Sequence, residues 1–193
     1  MIKTFFVTKD HDAIICVNDS LMGGVLFIYS TDDKEYWENK ISGVTYTGFQ
    51  NPLEKSGKDF ETERIELGIP AFGKELSEQF NPLECGLNKY VSFTKGCYIG
   101  QEVIARLDAY DKISKHMVGL KIEGSYSEIN EQLKITTGGK ECGILTSTAD
   151  SGKYGFIGLG FIKTIFLDEN KDYFIKYNNG QLKCRIAKLP FSD

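Results

Sequence analysis

The sequence has no apolar run close to the roughly 20 residues that a bilayer-spanning helix needs, so no membrane span is expected. It has no basic block either. Its 23 Lys and Arg residues are spread along the chain against 27 Asp and Glu, for a net charge of −4. That distribution leaves no electrostatic footprint for direct nucleic-acid binding. Histidine is nearly absent: only His11 and His116 occur. A cysteine hydrolase needs a histidine beside its nucleophile. His116 falls on an apolar strand-like face and His11 in a polar turn, so neither is placed for that role. The five cysteines, Cys16, Cys85, Cys97, Cys142 and Cys184, are scattered and form no C-x-x-C pair. No disulfide framework and no metal site are expected from them, and their default place is as small buried hydrophobes. Residues 1–7 turn polar too quickly for a secretory signal. A reducing, cytoplasmic compartment fits these features.

What remains is an ordinary globular composition. With 193 residues and 41% hydrophobic content, the chain can build one large domain or two small ones around a proper core. Residues 2–7, 13–17 and 24–29 read as strands, the first two as a hairpin across Asp10-His11-Asp12. Ser30 and Asp33 have capping-box spacing ahead of a helix with Trp37 and Ile41 on one face. Residues 50–58 are turn-rich and read as a loop. The stretch 59–67 is ambiguous, but Gly68 and Pro70 end it. After about residue 112 the pattern becomes β. His116, Val118, Leu120 and Ile122 alternate with polar or small neighbours, as do Leu182, Cys184 and Ile186. Gly138-Gly139 and Asn179-Gly180 are two-residue hairpin signals. Five or six short strands in about 80 residues point to a small barrel or sandwich.

One segment concentrates chemistry: Lys95-Gly96-Cys97-Tyr98-Ile99-Gly100-Gln101-Glu102. Ile99, Val103, Leu107 and Tyr110 fall at helical spacing. Cys97 therefore precedes a helix, whose positive end favours thiolate, and Lys95 adds charge nearby. Gly96 and Gly100 let the backbone turn sharply and let a ligand approach. Gln101 and Glu102 sit in the first turn, where acceptors can meet free N–H groups. The alternative is a glycine-rich turn around a buried structural cysteine. Glu66 follows Arg64 in Arg64-Ile65-Glu66-Leu67-Gly68. On composition alone it is a solvated carboxylate. Held between turns, it could instead accept two parallel hydrogen bonds, such as those offered by the ring N–H and exocyclic amine of a pterin.

The run from Lys95 to Glu102, extended through Arg106, resembles the signature of the YgfZ-type folate-binding family, which is related to the glycine-cleavage T protein. Pro82-Leu83-Glu84-Cys85-Gly86-Leu87 and residues 64–68 resemble flanking segments of that family. Gly143-Ile144-Leu145-Thr146-Ser147, Gly158-Leu159-Gly160 and Leu189-Pro190-Phe191 resemble its C-terminal barrel. The resemblance covers about residues 60–193. It implies an α+β fold: a partial folate-binding, aminomethyltransferase-like domain at 1–112, incomplete at its N-terminus, then a small β-barrel at 113–193. Family members are longer at the N-terminus, and that segment carries the acidic residue assigned to catalysis in the T protein.

The resemblance also implies tetrahydrofolate as cofactor and iron–sulfur client or assembly proteins as partners. The implied role is accessory, in maturing or repairing iron–sulfur enzymes, with an indirect effect on tRNA modification. Cys97 and Lys95 are the expected reactive pair. Glu66, Arg64, Gly96, Tyr98, Gly100, Gln101, Glu102 and Arg106 are the expected cofactor-binding residues. The alternatives are a tetrahydrofolate-dependent aminomethyl or one-carbon transferase, and a non-catalytic interaction module of the same fold.

Overall fold

The computed structural model describes residues 5–7, 13–17, 25–42, 57–92, 113–124, 131–177 and 180–192. The chain divides into two compact units, Met1–Lys55 and Ser56–Asp193.

In the first unit three strands form an antiparallel meander: β1 (Phe5–Val7), β2 (Ala13–Val17) and β3 (Val25–Tyr29). Phe6 lies opposite Ile15, and Ile15 opposite Phe27. All three expected strands form, rich in the β-branched and aromatic residues that suit a pleated surface. Ser30 then caps a short 3-10 turn, its hydroxyl accepting from the Asp32 N–H at 3.3 Å. Helix α1 (Lys34–Ser42) follows, with Trp37 buried.

The second unit opens with helix α2 (Gly57–Glu66), which occupies the stretch that sequence patterning left open. Its exit is a Schellman arrangement: Ile69 N–H donates to the Arg64 carbonyl and Gly68 N–H to that of Ile65. Gly68 has φ +70, and a Cβ there would sit 2.8 Å from Leu189 Cβ. Glycine is thus required twice over, by backbone conformation and by the close approach of the C-terminal tail.

Six strands then close into an antiparallel barrel: β4 (Lys115–Ile122), β5 (Leu133–Thr137), β6 (Lys140–Ser151), β7 (Gly155–Lys163), β8 (Tyr173–Tyr177) and β9 (Gly180–Ala187), in the order β4-β7-β6-β5-β8-β9. With one helix-bearing segment packed outside, this is the expected α+β class with a small β-barrel. The alternation read from sequence holds in β4, where Val118, Leu120 and Ile122 enter the core with Leu133, Ile135, Tyr173, Ile175 and Cys184. Gly138-Gly139 forms the β5–β6 turn, both residues at positive φ. Gly180 is already the first residue of β9, paired with Tyr177, so the expected Asn179-Gly180 signal does not lie wholly between the two strands.

Strand β7 is buried along nearly its whole length. Phe156 and Ile162 belong to the barrel interior, while Ile157 and Leu159 pack under Ile65 of α2 and Phe191 of the tail. Phe161 stacks on Phe80 with ring centroids 3.6 Å apart. A strand covered on both faces reads as a continuous apolar run. Burial of Ile65 alone contributes about 1.5–3 kcal/mol.

Candidate functional site

The junction between α2 and β6 gathers two buried charged residues of the second unit, Arg64 and Glu75. Across β6 and β7 the register steps from Leu145↔Gly160 to Ser147↔Leu159, so Thr146 is an extra, bulged residue. In a regular strand, neighbouring side chains point to opposite faces. The bulge lets two consecutive hydroxyls converge. Thr146 Oγ1 and Ser147 Oγ both donate to Glu75 Oε1, at 2.5 and 2.7 Å. Glu75 is completely buried, and its other oxygen accepts from the Ala71 N–H at 3.0 Å and from Arg64 Nη1 at 3.4 Å. The acid thereby ties the 69–76 turn to the barrel wall.

Arg64 is the second half of this network. Its side chain is 2% exposed. Nε and Nη2 bind the two carboxylate oxygens of Glu61 at 3.0 and 2.8 Å, Nη2 also donates to Ser147 Oγ at 2.8 Å, and Nη1 donates to the Ile69 carbonyl at 3.0 Å. With Glu75 included, all five guanidinium donors are met. The hydrogen-bonded Arg64 guanidinium beside Glu61 holds that carboxyl down to about 2, from an ordinary 4.5, and Lys74 at 3.0 Å helps. Arg64, one of the expected cofactor-binding residues, has its donors engaged inside the protein, where it pins helix to barrel.

Glu66 lies two residues further along, at the end of α2, half-buried. Ser151, at the end of β6, donates to its Oε1 at 2.6 Å. The backbone carbonyl of Glu66 accepts from Phe191 N–H at 2.8 Å. The carboxylate is therefore fixed by the barrel on one side and by the tail through its own main chain. Ionised, it has about four acceptor sites, and among the described residues only Ser151 uses one. Both oxygens retain accepting capacity, which is what a pair of parallel donors requires.

A second reciprocal lock holds residues 81–87. Asn81 Oδ1 accepts from Glu84 N–H at 2.9 Å, and Glu84 Oε2 accepts from Asn81 N–H at 3.1 Å, a capping-box pairing. Glu84 Oε1 also accepts from Ser114 at 2.8 Å. Cys85 is buried here and its Sγ donates to the Glu75 carbonyl at 3.3 Å. Burial pushes its thiol up to about 11, with nearby Glu84 and Glu75 adding to the effect. Cys142 and Cys184 are buried in the barrel, and burial raises both, Cys184 to about 12.

Lys95, Gly96, Cys97, Tyr98, Gly100, Gln101, Glu102 and Arg106 lie outside the described residues. Glu75, Thr146, Ser147 and Ser151 were not singled out from sequence.

Residues 115–193 match the family of the glycine cleavage T-protein C-terminal barrel domain. The chain is 47% identical over 105 residues to a putative chloroplastic transferase of Arabidopsis thaliana, covering 54% of this chain and 24% of that protein. It is 30% identical over 176 residues to an aminomethyltransferase of Desulforamulus reducens, covering 88% and 45%. The crystal structure of the glycine cleavage system aminomethyltransferase T from Bartonella henselae superposes with a TM-score of 0.76 at 16% identity, over 100% of this chain and 53% of that one. The chain thus spans from a quarter to just under half the length of these curated relatives. Residues 115–193 thus carry the T-protein type of C-terminal barrel, and the chain is similar in sequence to aminomethyltransferases over part of their length. No described helix is long and apolar enough to cross a membrane.

Proposed function

We propose that this chain is a tetrahydrofolate-binding accessory protein for the maturation or repair of iron–sulfur proteins, working in the cytoplasm and affecting tRNA modification only through such enzymes. The observation that carries the folate part is Glu66: a half-buried carboxylate, oriented by Ser151, with acceptor capacity left on both oxygens. It would take the ring N–H and exocyclic amine of the pterin. Tetrahydrofolate supplies a carrier for one-carbon units when bound. The chain's own contribution is to hold the carboxylate in place. Kinship with aminomethyltransferases supports the cofactor class.

The accessory role rests on the Lys95–Glu102 signature, in which Cys97 is the reactive thiol, Lys95 tunes it, and Gly96, Tyr98, Gly100, Gln101, Glu102 and Arg106 shape the ligand side. Iron–sulfur client or assembly proteins are the corresponding partners. The test is complementation of a host lacking the gene, with the activity of its iron–sulfur enzymes as readout. Wild-type chain should restore that activity and Cys97→Ala should not. Equal restoration by Cys97→Ala would remove the thiol from the account. The second reading, a folate-dependent transferase, is favoured by the names of the relatives, several of which are aminomethyltransferases. Glycine-dependent aminomethyl transfer by the purified protein would establish it in place of the accessory role.

A further inference from the structure

Ser151 sits at a position where its hydroxyl has a single possible use. It is 2% exposed. A serine hydroxyl offers one donor and two acceptor lone pairs. Both acceptor sites are taken by main-chain donors, Lys153 N–H at 3.1 Å and Tyr154 N–H at 3.0 Å. The one proton is left for Glu66 Oε1 at 2.6 Å. A hydroxyl that already accepts two hydrogen bonds is a better donor, because such bonds polarise one another. The contact with a carboxylate is charge-assisted and short.

The surroundings keep this geometry rigid. Tyr154 is anchored in turn, its hydroxyl donating to the Phe191 carbonyl at 3.0 Å. Phe191 N–H donates to the Glu66 carbonyl. Glu66, Ser151, Tyr154 and Phe191 thus form a closed circuit through helix, barrel and tail. The β6–β7 turn cannot shift Ser151 without disturbing the helix end that bears Glu66.

We propose that Ser151 is the positioning residue for Glu66: it fixes the plane of the carboxylate by occupying one lone pair of Oε1, leaving one on Oε1 and two on Oε2 for a ligand with two parallel donors. This rests on the reading of Glu66 as the pterin-binding acid. It adds that the C-terminal barrel, through one hydroxyl, sets both the orientation of that acid and its preference for a paired-donor ligand edge.

The experiment is a double-mutant cycle read in ligand affinity. Tetrahydrofolate is titrated anaerobically into wild type, Ser151→Ala, Glu66→Ala and the double variant, with thermal unfolding followed in parallel. Ser147→Ala is the control, since it removes a buried β6 hydroxyl from the Arg64–Glu75 network and lowers stability without touching Glu66. Ser151→Ala should weaken binding about tenfold, the loss of one charge-assisted hydrogen bond's worth of orientation. The same change in the Glu66→Ala background should cost nothing further, and Ser147→Ala should bind within about twofold of wild type. Wild-type affinity in Ser151→Ala, or an equal loss in both backgrounds, would overturn the positioning role and leave the folate reading standing. No binding by wild type would overturn the folate reading for this chain, and the positioning role with it.

Discussion

Arg64 and Glu75 face each other 3.4 Å apart with side chains 2% and 0% exposed, one from the end of a helix and the other from the turn that follows it. Arg64 meets the same turn again through the Ile69 carbonyl, which accepts from its Nη1 at 3.0 Å. Removing Glu75 would leave Ser147 Oγ and Ala71 N–H without their acceptor, Thr146 Oγ1 with the Leu159 carbonyl alone, and Arg64 short of a counter-charge. Breaking a buried pair in this way costs about 3–5 kcal/mol. Glu75→Ala should lose that much in urea unfolding, and Arg64→Met should lose a comparable amount, because it leaves the buried Glu75 carboxylate without its counter-charge. A loss below about 1 kcal/mol for Glu75→Ala, within the range of an exposed pair, would show the network to be incidental.

The barrel was legible in the sequence because its interior alternates. Val118, Leu120 and Ile122, and later Leu182, Cys184 and Ile186, repeat at period 2, and Gly138-Gly139 marked a turn that forms. The bulge was not legible, since an inserted residue breaks that period without changing composition. Glu75 also escaped notice. In a turn containing Phe72, Gly73 and Lys74, an acid reads as solvated, and only the fold shows two hydroxyls aimed at it. Helix α2 stayed ambiguous because its pattern is weakly amphipathic; Ile65 is its one fully buried apolar residue. The position of Arg64 in the motif points to a ligand, while its internal partners Glu61, Ile69, Glu75 and Ser147 come together only in the fold.

Glycines of the barrel strands carry a second expectation. A Cβ on Gly158 would lie 2.7 Å from the Ser147 carbonyl oxygen, and one on Gly160 the same distance from that of Ile144. A clash with main chain cannot be relieved by a rotamer change. Gly158→Ala and Gly160→Ala should each destabilise by about 1–3 kcal/mol or more, whereas Gly152→Ala, where a Cβ meets nothing within 4 Å, should be near neutral. Thermal midpoints of the three variants provide the check.

Acid sensitivity should have a traceable component. Glu61 is held down to about 2 from an ordinary 4.5 by its hydrogen bond to Arg64, with Lys74 assisting. A carboxyl depressed by folding contributes stability that is fully present above its unfolded value and lost as pH falls through its folded one. Glu61 is 41% exposed, so solvent screening shrinks the size of that contribution. The stability gap between wild type and Glu61→Gln should be constant at neutral pH and close between about pH 4.5 and 2. A gap that persists unchanged at pH 2 would mean the ion pair contributes through packing alone.

Thiol reactivity separates structural from functional cysteines. Burial holds Cys85 up to about 11 and Cys184 up to about 12, and raises Cys142. In the folded protein at pH 8 these three should resist alkylation and become reactive only with denaturant. On the proposed reading Cys97 reacts first, with a midpoint below the free value of about 8.5. Mass spectrometry of tryptic peptides after timed labelling reads both. A Cys97 rate no faster than that of the buried three would make it a structural residue.

The central claim is that Glu66 is a ligand-binding carboxylate presented by the barrel, and Glu66→Gln tests it most directly. Glutamine keeps an oxygen to accept from Ser151, so the helix–barrel contact can persist, but it turns the other oxygen into an NH₂ donor that opposes the donors of a pterin. Calorimetric titration of tetrahydrofolate should show binding to wild type and a loss of about 2–5 kcal/mol in the variant, as for a disrupted charged hydrogen-bonding partner, with little change in the thermal midpoint. Equal affinity in wild type and Glu66→Gln would contradict the claim.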